Sequence, residues 1–253
     1  MSPMTVALIA FACTFGGALL GSFIRTLLPE HHLREDSKDA LKLGTGLIAT
    51  LVALVLGLLV GSAKSSFDAA NTGLTELSAK TILLDRVLAQ YGPETMEVRD
   101  LVRHGVISTI ERIWPEDETG KGGLKAVEAA TGVEIIQGKL RELSPANDSQ
   151  RLLQAQALQI SGEVAQGRWL LIEQSQSSLP TPFLVVLIFW LVVLFASFGL
   201  FAPHNPTVIA VLFVCALSVS GAILLILEMN TPLEGMIKVS SAPLRKALEH
   251  LGR

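Results

Sequence analysis

Four stretches of the chain contain no Asp, Glu, Lys or Arg, at residues 4–24, 43–63, 183–201 and 207–227. A helix needs about 20 apolar residues to cross roughly 30 Å of hydrocarbon, which is the length of each stretch. Backbone polar groups in lipid must be satisfied within the segment, and a helix does this. We therefore predict four transmembrane helices.

The composition separates these stretches from the rest of the chain. Half of all residues are apolar, the mean hydropathy is +0.50, and only 17% are charged. All the charges fall outside the four stretches, at a density ordinary for water-exposed protein. This pattern excludes a cytosolic enzyme and a secreted disulfide scaffold, since Cys13 and Cys215 both lie in predicted spans. The net charge of −3 excludes a strongly basic nucleic-acid binder, so no nucleic-acid partner is expected.

The predicted fold is an all-α membrane protein, with four transmembrane helices as two hairpins and a helical soluble domain between spans 2 and 3. Its partner is the lipid bilayer. The predicted organisation is a first transmembrane hairpin at 1–63, a cytoplasmic helical bundle at 64–179, a second transmembrane hairpin at 180–229 and an amphipathic C-terminal tail at 230–253.

The soluble segment is expected to be helical throughout. Apolar residues step by three and four from Phe67 to Leu88, directly after the second span, and Gly92-Pro93 ends that helix. Further helices are expected to end near Trp114, to cover about 124–143, and to follow the turn at 144–148. The short tail helix is expected to pack either at the membrane interface or against the bundle.

The distribution of Lys and Arg near the spans predicts the orientation. The segment between spans 1 and 2 carries four such residues, whereas the opposite side carries six and the turn at 202–206 carries none. This count favours a bacterial inner-membrane protein with the soluble domain and both termini in the cytoplasm.

Small residues in the spans indicate close helix packing. Two small-xxx-small patterns occur, at 17–21 and 57–61, and each fits either packing within one subunit or contact between subunits. The second span is uncharged and free of aromatic residues, so it is the predicted lining of a central axis in an oligomer, where it would gate by dewetting. The pore-lining or helix-packing candidates are Gly44, Thr45, Ala49, Ala53, Gly57 and Gly61.

Catalytic signals are absent from the sequence. The five histidines lie in four separate segments without metal-ligand spacing, and no nucleotide-binding or nucleophile motif occurs. The absence of ionisable residues within the spans argues against a proton-coupled transporter. We expect no enzyme activity, cofactor or metal, and interpret Asp85-Arg86 and Arg99-Asp100 as structural ion pairs of the bundle.

Four motifs resemble a bacterial four-span inner-membrane family of undefined function, sometimes labelled bestrophin-like. They read LDRVLAQYGPE at 84–94 followed by Arg99, RWLLIEQ at 168–174, FW at 189–190 leading to FGLFAPHN at 198–205, and LEMNTPLEG at 227–235 leading to SSAPL at 240–244. The resemblance covers about residues 43–251. Its motifs supply the structural candidates Asp85, Arg86, Arg99, Arg168, Trp169, Trp190 and Glu228.

The bestrophin label implies a homo-oligomeric ring, pentameric by analogy, that conducts anions. The sequence departs from bestrophins in its second span, which lacks the aromatic residues of their neck. The alternative function is a non-conducting scaffold or signalling protein whose helical domain docks a cytoplasmic protein. Glu228, Lys64 and Arg168 are expected to act structurally at the cytoplasmic boundary, where Glu228 and Lys64 could pair.

Overall fold

A computed structural model describes residues 2–27, 35–115, 132–176, 181–203 and 205–252, and these form helices joined by turns without any strand. The all-α prediction is confirmed, and four of the helices are long and apolar enough to cross a membrane. The helices are α1 (Pro3–Leu27), α2 (Glu35–Tyr91), α3 (Met96–Ile113), α4 (Gly132–Glu142), α5 (Asp148–Gln176), α6 (Thr181–Phe201), α7 (Pro206–Met229) and α8 (Ala242–His250). A 3₁₀ turn, Pro93–Thr95, joins α2 to α3.

The chain forms two compact units, one from residues 1–65 and 178–230, the other from residues 66–177 and 231–253. The first unit holds α1, α6, α7 and the apolar part of α2. The second holds the remaining part of α2, α3 to α5, and the tail with α8. Helix α2 runs without a break from the apolar stretch into the Phe67–Leu88 stripe, as the sequence predicts.

In the first unit, α1 packs on both α6 and α7. Its crossing with α6 depends on glycine on both sides. A Cβ atom at Gly21 would overlap the carbonyl oxygen of Ala196, and one at Gly199 would overlap that of Ala18. Both obstacles are backbone atoms, so larger residues would force the helices apart. The small pattern at 17–21 therefore serves packing within the subunit, one of its two predicted roles.

The second unit has its own apolar core. Leu88 from α2, Val102 from α3, Leu140 from α4 and Ile160 from α5 are all buried in a single cluster. The tail adds to this cluster through its own buried apolar side chains, which are Val239, Leu244 and Leu251. The tail therefore packs against the bundle, which decides between the two placements left open by the sequence.

A glycine and two polar side chains define helix ends where the sequence predicts turns. Gly92 has φ +137°, a left-handed conformation that favours glycine, and it ends α2. The hydroxyl of Thr95 donates to the Leu88 carbonyl at 2.6 Å and so satisfies the last turn of α2. The side chain of Asn205 caps α7 by accepting from Thr207 N at 3.1 Å. The third soluble helix, predicted over 124–143, is seen as α4 from Gly132, because residues 116–131 lie outside the described ranges.

Candidate functional site

The apolar part of α2 has one packed face and one open face. Val52 is buried, and Ile48, Val55 and Leu59 pack beside it in the apolar cluster of the first unit. These positions recur every three or four residues and therefore share one side of the helix. The other side remains exposed, and only 11% of the most apolar 18-residue stretch of α2 is buried. This is the least covered of the four apolar helices.

Small residues are concentrated on the open face. Gly46, Ala53, Gly57 and Gly61 are all exposed, and their spacing of seven and four residues aligns them along the helix. A Cβ atom built at any of the three glycines would have no neighbour within 4 Å. Packing of Gly57 and Gly61 on the first span of the same subunit, the alternative left open by the sequence, is thus not seen in the described part of the chain.

The six predicted lining residues do not share one face. Ala53, Gly57 and Gly61 lie on the open face, together with Gly46. Ala49 is half-buried in the cluster of the first unit. Thr45 is also half-buried, and its hydroxyl donates to the Leu41 carbonyl at 2.6 Å. Gly44 is exposed, but it lies away from the aligned glycines by the helical period.

The first family motif builds a buried ion pair. Nε and Nη2 of Arg99 on α3 donate to the two carboxylate oxygens of Asp85 on α2, at 2.8 and 3.1 Å. The side chains are 1% exposed for Asp85 and 18% for Arg99. This two-point geometry suits the planar guanidinium, and the hydrogen bond to Asp85 raises the pKa of Arg99, with burial opposing it. The pair thus joins one residue from each of the dipeptides that the sequence singled out.

The same motif also anchors the tail. The backbone N–H of Gly252 donates to Oδ2 of Asp85 at 3.3 Å, and Nη2 of Arg86 donates to the carbonyl of His250 at 3.3 Å. A second anchor lies beyond α3, where Nε1 of Trp114 donates to the Val239 carbonyl at 2.9 Å. Asp85 and Arg86 therefore hold α2, α3 and the tail together, which is a structural role.

The remaining motif residues are spread over both units. Trp190 is half-buried in the apolar cluster of the first unit, and Glu228 is buried at the end of α7. Arg168 and Trp169 are neighbours on α5, with the guanidinium carbon 5.8 Å from the indole centroid. Trp169 is 54% exposed, whereas Arg168 is half-buried. Lys64 is exposed, and its expected pairing with Glu228 stays a prediction.

Other charged groups of the second unit form surface pairs. Nζ of Lys80 lies 3.2 Å from Glu163, and Nζ of Lys139 lies 3.1 Å from Glu97. A hydrogen bond from Gln159, followed by the contact with Lys80, lowers the pKa of Glu163. Among the described residues, no group of three or more His, Cys, Asp or Glu side chains is arranged to hold a metal ion.

Sequence reasoning missed two residues that matter for packing. Gly199 completes the crossing of α1 and α6, but its span has no small-xxx-small pattern on which a prediction could rest. Gly105 lines a pocket of the second unit, and its only sequence signal is a glycine inside an otherwise regular helical pattern.

Comparison with known proteins adds a family to this geometry. No curated protein and no solved structure matches the chain. The family described as Bestrophin-like domain matches residues 12–244, which include α1 from residue 12 onward, the other three apolar helices, the Asp85–Arg99 pair and the start of α8. The suspected family is thereby confirmed, and the chain belongs to the Bestrophin-like domain family.

Proposed function

We propose that the protein is a homo-oligomeric channel that conducts ions across a bacterial inner membrane along an axis lined by the apolar part of α2. It is not proposed to catalyse a reaction. By resemblance to bestrophins alone, we propose that this channel selects anions and contains five subunits. The observation that carries the proposal is the open face of α2, where the aligned glycines have no neighbour within 4 Å in the described part of the subunit.

The contrast between α1 and α2 supports this use of the open face. In the small pattern of α1, Gly17 lies against Val192 of α6, and the backbone of Ala196 leaves no room for a Cβ at Gly21. The aligned glycines of α2, which are Gly46, Gly57 and Gly61, have no described atom of the subunit within 4 Å of a built Cβ. In a bilayer, helix association depends on close van der Waals packing, which small residues permit. A symmetric copy of α2 is the partner that such a face fits.

The chemistry of this face suits a gate that opens by wetting. It carries no ionisable side chain, and the hydroxyl of Thr50 donates to its own helix at the Gly46 carbonyl, 2.9 Å away. A narrow apolar constriction excludes water until it widens. Ions would therefore pass only when the surrounding helices separate enough for water to enter.

The orientation follows from the Lys and Arg count, with the second unit and both termini proposed in the cytoplasm. Reporter fusions at Gly120 and Arg253 are expected to report the cytoplasm, and a fusion at Ser37 the periplasm. The reverse pattern would refute this orientation.

Substitution of Gly57 tests the axial position of α2. Gly57→Leu adds four carbons on the open face and is expected to block ion flux into proteoliposomes or to lower the subunit count in detergent. Gly16→Leu is the matched control, because Gly16 is also exposed in an apolar helix with no atom within 4 Å of a built Cβ. An intact oligomer with unchanged flux in Gly57→Leu would remove α2 from the axis.

A non-conducting scaffold remains the second candidate, because Trp169 and Leu170 are 54% and 52% exposed on α5 of the second unit. Exposed aromatic residues of this kind are typical contact residues for another protein. Wild-type protein that incorporates into liposomes as an oligomer without passing any ion would favour this candidate over the channel.

A further inference from the structure

Lys64 is the first ionisable residue of α2 after its uncharged stretch, which ends at Ala63. It follows Gly57 by seven residues and Gly61 by three, so the helical period places it on the same side of α2 as these glycines. Ala63 follows the buried Val52 by eleven residues and is itself fully buried, whereas Lys64 is exposed. Helical period and burial therefore both place Lys64 at the end of the open face.

In the proposed oligomer, Lys64 recurs once per subunit around the axis. Each copy of α2 turns the same face inward, so the ammonium groups form a ring where the apolar lining ends. With a rise of about 1.5 Å per residue, this ring lies about 10 Å beyond Gly57 and about 5 Å beyond Gly61 along the helix. The ring exists only if α2 lines the axis, so its role rests on the proposed function.

Asp68 is the next ionisable residue of the chain, and it is also exposed on this side of α2. It follows Lys64 by four residues and therefore lies about 6 Å farther from the apolar lining along the helix. Its carboxylate opposes the ammonium charge. The nearer charge acts more strongly on an ion at the end of the lining, because the Coulomb energy falls with distance and salt screens the remoter charge further. The potential at that point is therefore positive.

We propose that Lys64 is the residue that makes this channel prefer anions to cations. Rings of Lys or Arg side chains select anions in pores, and a mouth lined by charge of one sign concentrates ions of the opposite sign. The apolar lining has no ionisable group and gives no such preference. A lysine at the end of a membrane helix can instead serve only to anchor that helix at the interface. An anchoring role predicts no effect on the ratio of anion to cation permeability.

Reversal potentials of the full chain in planar bilayers of zwitterionic phosphatidylcholine, measured across a KCl gradient, give the permeability ratio of chloride to potassium. The wild-type ratio is expected to exceed one. Lys64→Gln is expected to lower it about tenfold, Lys64→Glu to invert it, and Lys64→Arg to retain it. Asp68→Asn is expected to raise the ratio, which keeps the test valid if Lys64→Gln does not incorporate. The subunit count of each preparation separates a change in selectivity from a change in assembly.

Lys246→Gln is the matched control, because Lys246 is an exposed lysine of α8 and its replacement changes the net charge by the same amount. It is expected to retain the wild-type ratio. A conducting oligomer with equal ratios in wild type and Lys64→Gln would overturn this proposal and leave the channel standing, as would an unchanged ratio in Asp68→Asn. An equal change in Lys246→Gln would also overturn it, because any charge on the chain would then suffice. A wild-type oligomer that conducts no ion would overturn the proposed function as well.

Discussion

Removal of the Asp85 carboxylate is expected to destabilise the second unit strongly. Asp85 is almost fully buried, and its two oxygens accept three hydrogen bonds, two from Arg99 and one from the backbone of Gly252. Asp85→Ala removes the carboxylate that Nε and Nη2 of Arg99 both contact. Breaking a buried pair on one side costs about 3–5 kcal/mol. Because Arg99 keeps 18% exposure and can gain some hydration, we expect a loss of about 3 kcal/mol, in the lower part of that range.

The measurement is urea unfolding of the full chain in nanodiscs, followed by tryptophan fluorescence. Trp114 bonds to the Val239 carbonyl, so its emission also reports release of the tail. A loss of about 3 kcal/mol corresponds to a fall in Tm of about 10 °C for a unit of this size. Asp85→Asn keeps the shape and one acceptor oxygen, and is expected to lose about half as much, since a hydrogen bond to a charged group contributes about 1.5–3 kcal/mol.

Two further variants separate the buried pair from a general effect of charge. Glu97→Gln removes a carboxylate that is 67% exposed beside Lys139, and is expected to cost less than about 0.5 kcal/mol. The double variant Asp85→Leu with Arg99→Met removes both charges and is expected to recover most of the loss. A loss below about 1 kcal/mol in Asp85→Ala would refute the reasoning, because the removal of one side of a buried two-point ion pair should cost more.

Three further predictions concern other described contacts. Gly199→Ala is expected to destabilise the first unit by about 1–3 kcal/mol, because its Cβ meets the backbone carbonyl of Ala18, which cannot move aside. Gly16→Ala is the control, and equal melting temperatures of the two variants in detergent would contradict the close crossing of α1 and α6. The buried hydroxyl of Tyr91 has no described hydrogen-bond partner, so Tyr91→Phe is expected to unfold at the same or higher urea concentration, by up to about 1 kcal/mol. Burial, with a smaller contribution from Glu94, raises the pKa of Tyr91 above its ordinary value of 10. Because the phenol then ionises more readily in the unfolded chain, wild type is expected to lose stability as the pH rises from about 10 through the raised value; an unchanged alkaline melting profile in Tyr91→Phe would contradict this. Because the pKa of Glu163 is lowered, its charged carboxylate stabilises the fold fully above about pH 4.5, and this stabilisation is lost as the pH falls through the lowered pKa. Glu163→Gln is therefore expected to show a smaller fall in Tm on acidification than wild type.

The sequence alone determined the helical class and the four apolar helices. These features depend on local properties, since an uncharged stretch of membrane length must be helical wherever it lies in the bilayer. The end of α2 at Tyr91 was also predictable, because Gly92-Pro93 breaks a helix by its own backbone chemistry. The apolar periodicity from Phe67 to Leu88 likewise indicated which residues of α2 enter the core.

Only the tertiary structure decided how equivalent local patterns are used. The small patterns of α1 and α2 look alike in sequence, yet the first packs against α6 and the second remains open, because the opposing residues come from distant parts of the chain. The same reason separates Thr45 and Ala49 from Gly57 and Gly61, and it pairs Asp85 with Arg99 instead of its neighbour Arg86. The pocket beside Gly105 is likewise invisible in sequence, since residues from separate helices and the tail form its wall.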